Sequence, residues 1–414
     1  MLEIKDLLLK NKEQQHELEI FLTHYFNSSQ QNQNQNEISH GEGKCIVKYN
    51  KGNEIKSILI DEDIVAKADL INEVVVALST NSGLEVSSRF VFSSVNIDGY
   101  FRYKNAFQIS PVPDNAPRLD LNLVESDHPF NVEFSFLKSP DLSINSYRAE
   151  KKFTEISLLL NSLLRLGLNN IKSNSVQVWT WDIVGGIPKC KYLYTGYFLE
   201  ELDMRSKDSN GFTSFIESEK IPQKNSAEYY STKGISSGDY RIIIPDNFTD
   251  SIDKYYELSD DNKEKFLRSS YWLQTAFAIF QVSKSVAYNA LVTSIEVFLD
   301  VDIKCNTCRS PTSSDKCSEC SQPNSGPTKK FKDFVDQFAP GTLESLRKEL
   351  YDIRSNITHG SMLLPGDGPE SSRVFNPERN NSSHKWYLLS QISRTIQINW
   401  LYFNNTSSTV EILR

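Results

Sequence analysis

"YDIRSNITHG" at residues 351–360 reads as the last turns of a helix stopped by a glycine. Over the helix that the spacing predicts for residues 343–359, Leu346, Leu350, Ile353 and Ile357 recur at intervals of four, three and four. They form one apolar stripe. At about 100° per residue, Arg354 lies roughly 70° from the centre of that stripe and His359 roughly 150° from it. The histidine therefore does not belong to the core its own helix builds. Two readings stay open at this point. A cationic ring before Gly360 favours the helix's negative C-terminal end, or His359 and Arg354 form a functional pair.

Working outward, the stretches "DDNKEKFLRSSYWLQTAFAIFQ", "SKSVAYNALVTSIEVFLD", "TKKFKDFVDQFA" and "HKWYLLSQISRTIQINWLYF" all carry helical spacing. Residues 254–414 are accordingly expected to form an all-α bundle. Before them, residues 236–253 read as part of a polar connection. Residues 1–235 mix helices with strands such as "KCIVKYN", "KSILI", "EVVVAL", "SSRFVFSSV" and "FNVEFSFL". They are expected to form an α+β domain. The tract "NSSQQNQNQNE" has nothing to bury and reads as a flexible loop.

The formal net charge of −8 argues against a general nucleic-acid coating protein, though not against an enzyme that touches RNA locally. No stretch reads as a signal peptide or a membrane span, so a cytoplasmic location with reduced thiols is expected. Cysteines are then metal ligands or buried thiols before they are disulfides. In "CNTCRSPTSSDKCSEC", Cys305 and Cys308 form one knuckle and Cys317 and Cys320 a second. Two such knuckles can complete a tetrahedron of thiolates around a structural zinc, within an insertion at about residues 301–328. Redox pairs are the weaker reading, because no strand-to-helix setting surrounds them. Cys45 and Cys190 stand alone in strand-like runs.

An Arg-x4-His at the end of a late helix, in "LRKELYDIRSNITHG", follows a four-cysteine insertion and "NALVTSIEVFL". This order resembles the HEPN superfamily of ribonucleases, in its ApeA-like branch, over about residues 254–404. The fold class it implies is an α+β N-terminal domain followed by an all-α HEPN helical bundle with a four-cysteine zinc insertion. The activity it implies is metal-independent RNA cleavage in antiphage defence by abortive infection, with no catalytic metal. Arg354 and His359 would be the catalytic pair. Many active members carry a polar amide right after the arginine; here Ser355 stands there, and Asn356, one further on, is the amide taken into the candidate set. The implied partners are RNA, a second copy of the chain through the bundle, and a phage-derived trigger at the N-terminal domain. Glu296 can orient Arg354 by a salt link, or be a solvated carboxylate. The competing class is a HEPN-like module that binds nucleotides or protein without turnover. A third reading, Tyr351 as an adenylylation target, ranks below both.

Overall fold

The computed structural model of the chain describes residues 2–5, 7, 9, 11–26, 29–32, 37–41, 44–61, 66–79, 83–93, 95–112, 128–139, 141–165, 176–184, 187–195, 205–215, 220–230, 241–280, 282–299, 319–321, 327–341, 344–367 and 377–404. It opens with a β-rich module. Strand β1 (Leu2–Lys5), helix α1 (Lys12–Tyr25), strands β2 (Ser29–Asn32), β3 (Glu37–His40), β4 (Cys45–Tyr49) and β5 (Ile55–Ile60), and helix α2 (Ala66–Ser79) follow in order. The strands pair antiparallel in the order β1-β5-β4-β3-β2. Alternation puts Cys45, Val47, Ile58 and Ile60 on one face, where they meet Leu18, Phe21 and Leu22 of α1 and Ile71, Val74, Val75 and Leu78 of α2. Burial pushes the Cys45 thiol up to about 12, so it is an inert apolar residue.

Two segments differ from the sequence expectation. "EVVVAL" lies within α2, because Ile71, Val74, Val75 and Leu78 recur at helical spacing and bury together. Within the Asn/Gln tract, Ser29–Asn32 pairs with Glu37–His40 as an edge strand. Backbone pairing there does not require an apolar face.

A second antiparallel sheet, of order β6-β9-β8-β7, is built from β6 (Leu84–Ser93), β7 (Phe101–Tyr103), β8 (Phe107–Pro111) and β9 (His128–Leu137). Helix α3 (Leu142–Leu163) covers it, capped by Asp141, whose carboxylate accepts from the backbone N–H of Ser143 and Ile144. The long hairpin β10 (Val176–Val184) and β11 (Ile187–Thr195) follows. Then come β12 (Gln223–Lys224), α4 (Ser226–Tyr230), β13 (Ile244–Pro245), α5 (Phe248–Glu257), α6 (Asp260–Ile279), α7 (Lys284–Glu296), α8 (Pro327–Phe338), α9 (Glu344–Thr358) and α10 (Pro377–Phe403).

The expected fold class is corrected here. The N-terminal part is β-rich with antiparallel sheets, and the later helices do not enclose a separate core. A single apolar cluster runs from Phe130, Val132 and Phe134 of β9 through Phe153, Ile156 and Leu160 of α3 to Phe266, Leu291, Leu350 and Leu401 of the helical layer. From Ile156 to Leu163 every side chain of α3 is buried. A helix buried all round must be covered on both faces, here by the sheet and by α6. The stretch read as a connection, 236–253, contributes Ile242, Ile244, Phe248 and Ile252 to the same core. The metal part of the expectation also finds no support, since no group of three or more His, Cys, Asp or Glu able to hold a metal occurs among the described residues. Cys305, Cys308 and Cys317 lie outside those residues, and Cys320 sits half-buried in a turn. Among the described residues no helix is long and apolar enough to cross a membrane.

A shared core makes a specific forecast. Phe153 is 1% exposed and its ring lies 5.9 Å from that of Phe134. Phe153→Ala should cost about 3–5 kcal/mol, and it should lower the denaturation midpoint reported by Trp386 and Trp400 in the helical layer. Helices that keep the wild-type midpoint would show that they carry a core of their own.

Candidate active site

Helix α9 buries Leu350 and Ile353 and half-buries Leu346 and Ile357, the stripe its spacing predicts. Arg354 sits on the flank of that stripe. Its Nη2 donates to Oε2 of Glu296 on α7 at 3.0 Å, with the two side chains 27% and 22% exposed. The guanidinium carbon lies 5.7 Å from the centre of the Tyr351 ring. Burial pushes the Glu296 carboxyl above its ordinary value, and the attraction and hydrogen bond of Arg354 pull it only part of the way back. Burial also raises the Tyr351 phenol, with Glu296 adding to the shift. Tyr351 is thus a neutral wall against the ion pair.

The helix ends in a paired-bond cap. Gly360, at φ +72°, donates to the Ile357 carbonyl at 3.0 Å, and Ser361 donates to the Asn356 carbonyl at 2.9 Å. His359 is the last residue before the left-handed glycine, its N–H bonded to the Ser355 carbonyl at 2.9 Å. Its imidazole is exposed and makes no hydrogen bond among the described residues. Asn356 is exposed too, and its Oδ1 accepts from Ser361 Oγ at 3.4 Å.

The chain then folds back onto α7. The Asp367 carboxylate accepts from Ser283 Oγ at 2.8 Å, Lys284 N at 2.8 Å and Ser285 N at 2.7 Å, which places a negative charge on the positive end of that helix. Burial pushes this carboxyl up, but the hydrogen bonds of Ser285, Ser283 and Lys284 outweigh it and hold it below its ordinary value. Leu364 N–H donates to Ser285 Oγ at 2.8 Å and fixes the loop between.

The structure thus joins Arg354 to Glu296 and sets His359 at the free end of the same helix. No hydrogen bond links Arg354 to His359. Two polar residues that sequence reading passed over, Asn289 and Thr293, lie with them. Asn289, Thr293 and Glu296 form a half-buried stripe on α7 at intervals of four and three. Asn289 Nδ2 donates to Thr358 Oγ1 at 3.4 Å, while its buried Oδ1 has no partner. The signal was present in "NALVTSIE", where three polar side chains share one face of an otherwise apolar helix. Chemically, the group offers an oriented cation, an accessible imidazole and neutral polar side chains along one groove.

The Glu296–Arg354 pair makes a pH forecast. With its folded carboxyl titrating above the ordinary 4.5, the native state keeps that proton longer than the unfolded chain. The stability of the wild type relative to Glu296→Gln should therefore fall as pH rises from 4.5 through the raised value. Urea midpoints of both proteins between about pH 4 and 8 measure this. A difference that grows with pH would mean that Arg354 outweighs the burial of its partner.

Comparison of the chain with protein-family models, with curated proteins and with solved structures gave no match, so the chemistry of this groove is read from its own residues.

Proposed function

We propose that the α7–α9 groove cleaves RNA without a metal, in the manner of the ribonucleases that "LRKELYDIRSNITHG" resembles. The observation that carries this reading is the half-buried Arg354–Glu296 pair on the helix whose capped end presents His359 to solvent. An imidazole ordinarily titrates near neutral pH and can take the proton from a ribose 2′-hydroxyl. The 2′ oxygen then attacks the adjacent phosphorus, the bond from phosphorus to the 5′ oxygen breaks, and the departing oxygen is protonated. The products are a 2′,3′-cyclic phosphate and a 5′-hydroxyl end. The planar fork of Arg354 suits the phosphorane oxygens, on which charge accumulates. Glu296 acts as a positioning residue, holding the guanidinium plane. Asn356, exposed one turn from the helix end, takes the place of the family's amide.

A two-fold dimer supplies the rest of the site. Arg354 and His359 are about 140° apart around their helix, so one chain presents them in different directions. Apposing two copies brings each His359 toward the other copy's Arg354, through a patch used twice. The surface beside the groove is suited to this. Val282, Val286 and Leu363 are 84%, 54% and 60% exposed, and the Leu364–Ser285 bond sets Leu363 beside the first turn of α7. The aromatic residues of α10 are less available, since Trp386 and Trp400 are buried in the core. In this reading the protein acts in antiphage defence. A phage-derived trigger acts at the N-terminal module, and the cleft of about 730 Å³ between α1 and the β8–β9 and α3 layer, lined by Glu17, Arg148 and Tyr103 among others, is its candidate seat.

One observation favours the alternative, a binding module without turnover: the His359 ring has no partner to orient it among the described residues. Incubation with total RNA in EDTA separates the two. Cyclic-phosphate ends are expected, and Arg354→Ala or His359→Ala should each reduce their formation by about 100- to 1,000-fold while the protein stays folded. A folded His359→Ala protein that cuts at the wild-type rate would remove the base from the scheme. Mixing the two inactive variants should restore part of the activity, because a heterodimer retains one intact composite site.

A further inference from the structure

The first module carries a core of its own. Among the described residues, one side chain from beyond Ser79 enters it, Ile144 in the first turn of α3. The rest of the seam between α1 and α3 is polar. Glu17 is 2% exposed and accepts from Arg148 Nε at 2.6 Å and from Arg148 Nη2 at 2.8 Å. One turn earlier on α1, Glu13 pairs with Lys151, with both side chains about half exposed. The His16 and Tyr147 rings meet in a T at 5.1 Å. The partners follow in opposite order along the two helices, so α1 and α3 run antiparallel. The apolar anchor at Ile144 stands at one end of the seam and the ion pairs follow it. At their end opens the cleft of about 730 Å³, lined by Asn11, Glu13 and Gln14 of α1 and by Lys151, Lys152 and Glu155 of α3.

Parting an apolar seam exposes surface that water disfavours. Parting an ion-paired one returns both charges to water, and hydration repays most of the lost attraction. We propose that Leu2–Ser79 is a body that swings from α3 about Ile144, with Glu17–Arg148 and Glu13–Lys151 as its latch, and that the swing widens the cleft. The second sheet, α3 and the helical layer share one apolar core and stay together. The latch responds to ionic strength. Salt screens the solvent-facing Glu13–Lys151 pair while the seam is closed, and screens every charge of the latch once it is open. The device governs entry to the cleft, and it rests on the two cores and the seam alone, whether or not the cleft takes a phage-derived trigger.

Chemical footprinting of the full chain, read by mass spectrometry, tests the latch. An arginine-specific dicarbonyl reagent reports the seam through Arg148, 14% exposed, and the main core through Arg394, 3% exposed. A thiol reagent reports the module's own core through the buried Cys45. The exposed Arg268 corrects for any effect of salt on the reagent. Raising sodium chloride from about 0.05 M to about 1 M shortens the Debye length to about 3 Å. Modification of Arg148 relative to Arg268 should then speed up roughly fivefold, while Cys45 and Arg394 stay protected. Glu13→Lys sets a like charge against Lys151 and leaves the Glu17–Arg148 pair in place; it should give a similar acceleration at low salt. A rate at Arg148 that either change leaves unmoved overturns the proposal, because the seam is then rigid. Acceleration of Arg148 in step with Cys45 overturns it as well, because the module then unfolds where it should swing. None of these readouts uses RNA cleavage, so the outcome is independent of Arg354 and His359.

Discussion

Helix α3 is the element on which the rest of the molecule depends. A helix that is apolar on one face can sit at the surface of a sheet, but the stretch Ile156–Leu163 buries every side chain. Its outer face therefore has to be covered, and α6 covers it. Even its polar residues turn inward, as Asn161 donates to the Ser157 carbonyl at 3.0 Å and Ser162 bonds to Ser270 of α6 at 2.5 Å. Once α6 is fixed, its partner α7 is fixed, and α7 sets the place of α9 through Glu296 and Asn289. The groove that carries His359 is thus positioned by a chain of packing contacts that begins at the β9 strand.

The groove itself combines two levels of order. Arg354 is held by a charge-assisted bond in a half-buried place, where a lower effective dielectric makes such a pair matter more than it would in water. His359 is held only through its backbone, at the cap of the helix. A guanidinium held by a carboxylate and an exposed imidazole on the same helix suit a site completed by something that docks on it, since the docked partner then supplies the orientation. The exposed Val286 and Leu363 beside the groove have the same character: surface left uncovered where a second body can lie.

What the sequence made legible follows its local periodicities. The α9 stripe, its glycine stop and the helical spans of α6, α7 and α10 could be read because each depends on residues a few positions apart. Phe, Val and Ile alternation identified β4, β5 and β9. "EVVVAL" misled because β-branched residues favour strands in isolation, whereas Ile71 and Leu78 at either side complete a helical face. The continuous core could not be read from spacing, although "ISLLLNSLLRL" carried its trace in an apolar surface wider than one helix face. A local pattern shows that a face is to be buried; it does not name the element that buries it. The metal knuckles were legible only as spacing.

The two arginines of the helical layer show the same limit for charge. In sequence, "DIRSN" and "ISRTI" look alike, each an arginine within two residues of an isoleucine on a helix. In the fold, Arg354 meets a carboxylate at 3.0 Å and remains 27% exposed, whereas Arg394 is 3% exposed and has an aromatic ring and a second arginine for company. Burial of a charge lowers stability unless something offsets it, and the offset for Arg394 has no described protein group to come from. Conformational specificity alone is a weak reason to retain such a residue, because an apolar side chain of the same length would pack the site at lower cost.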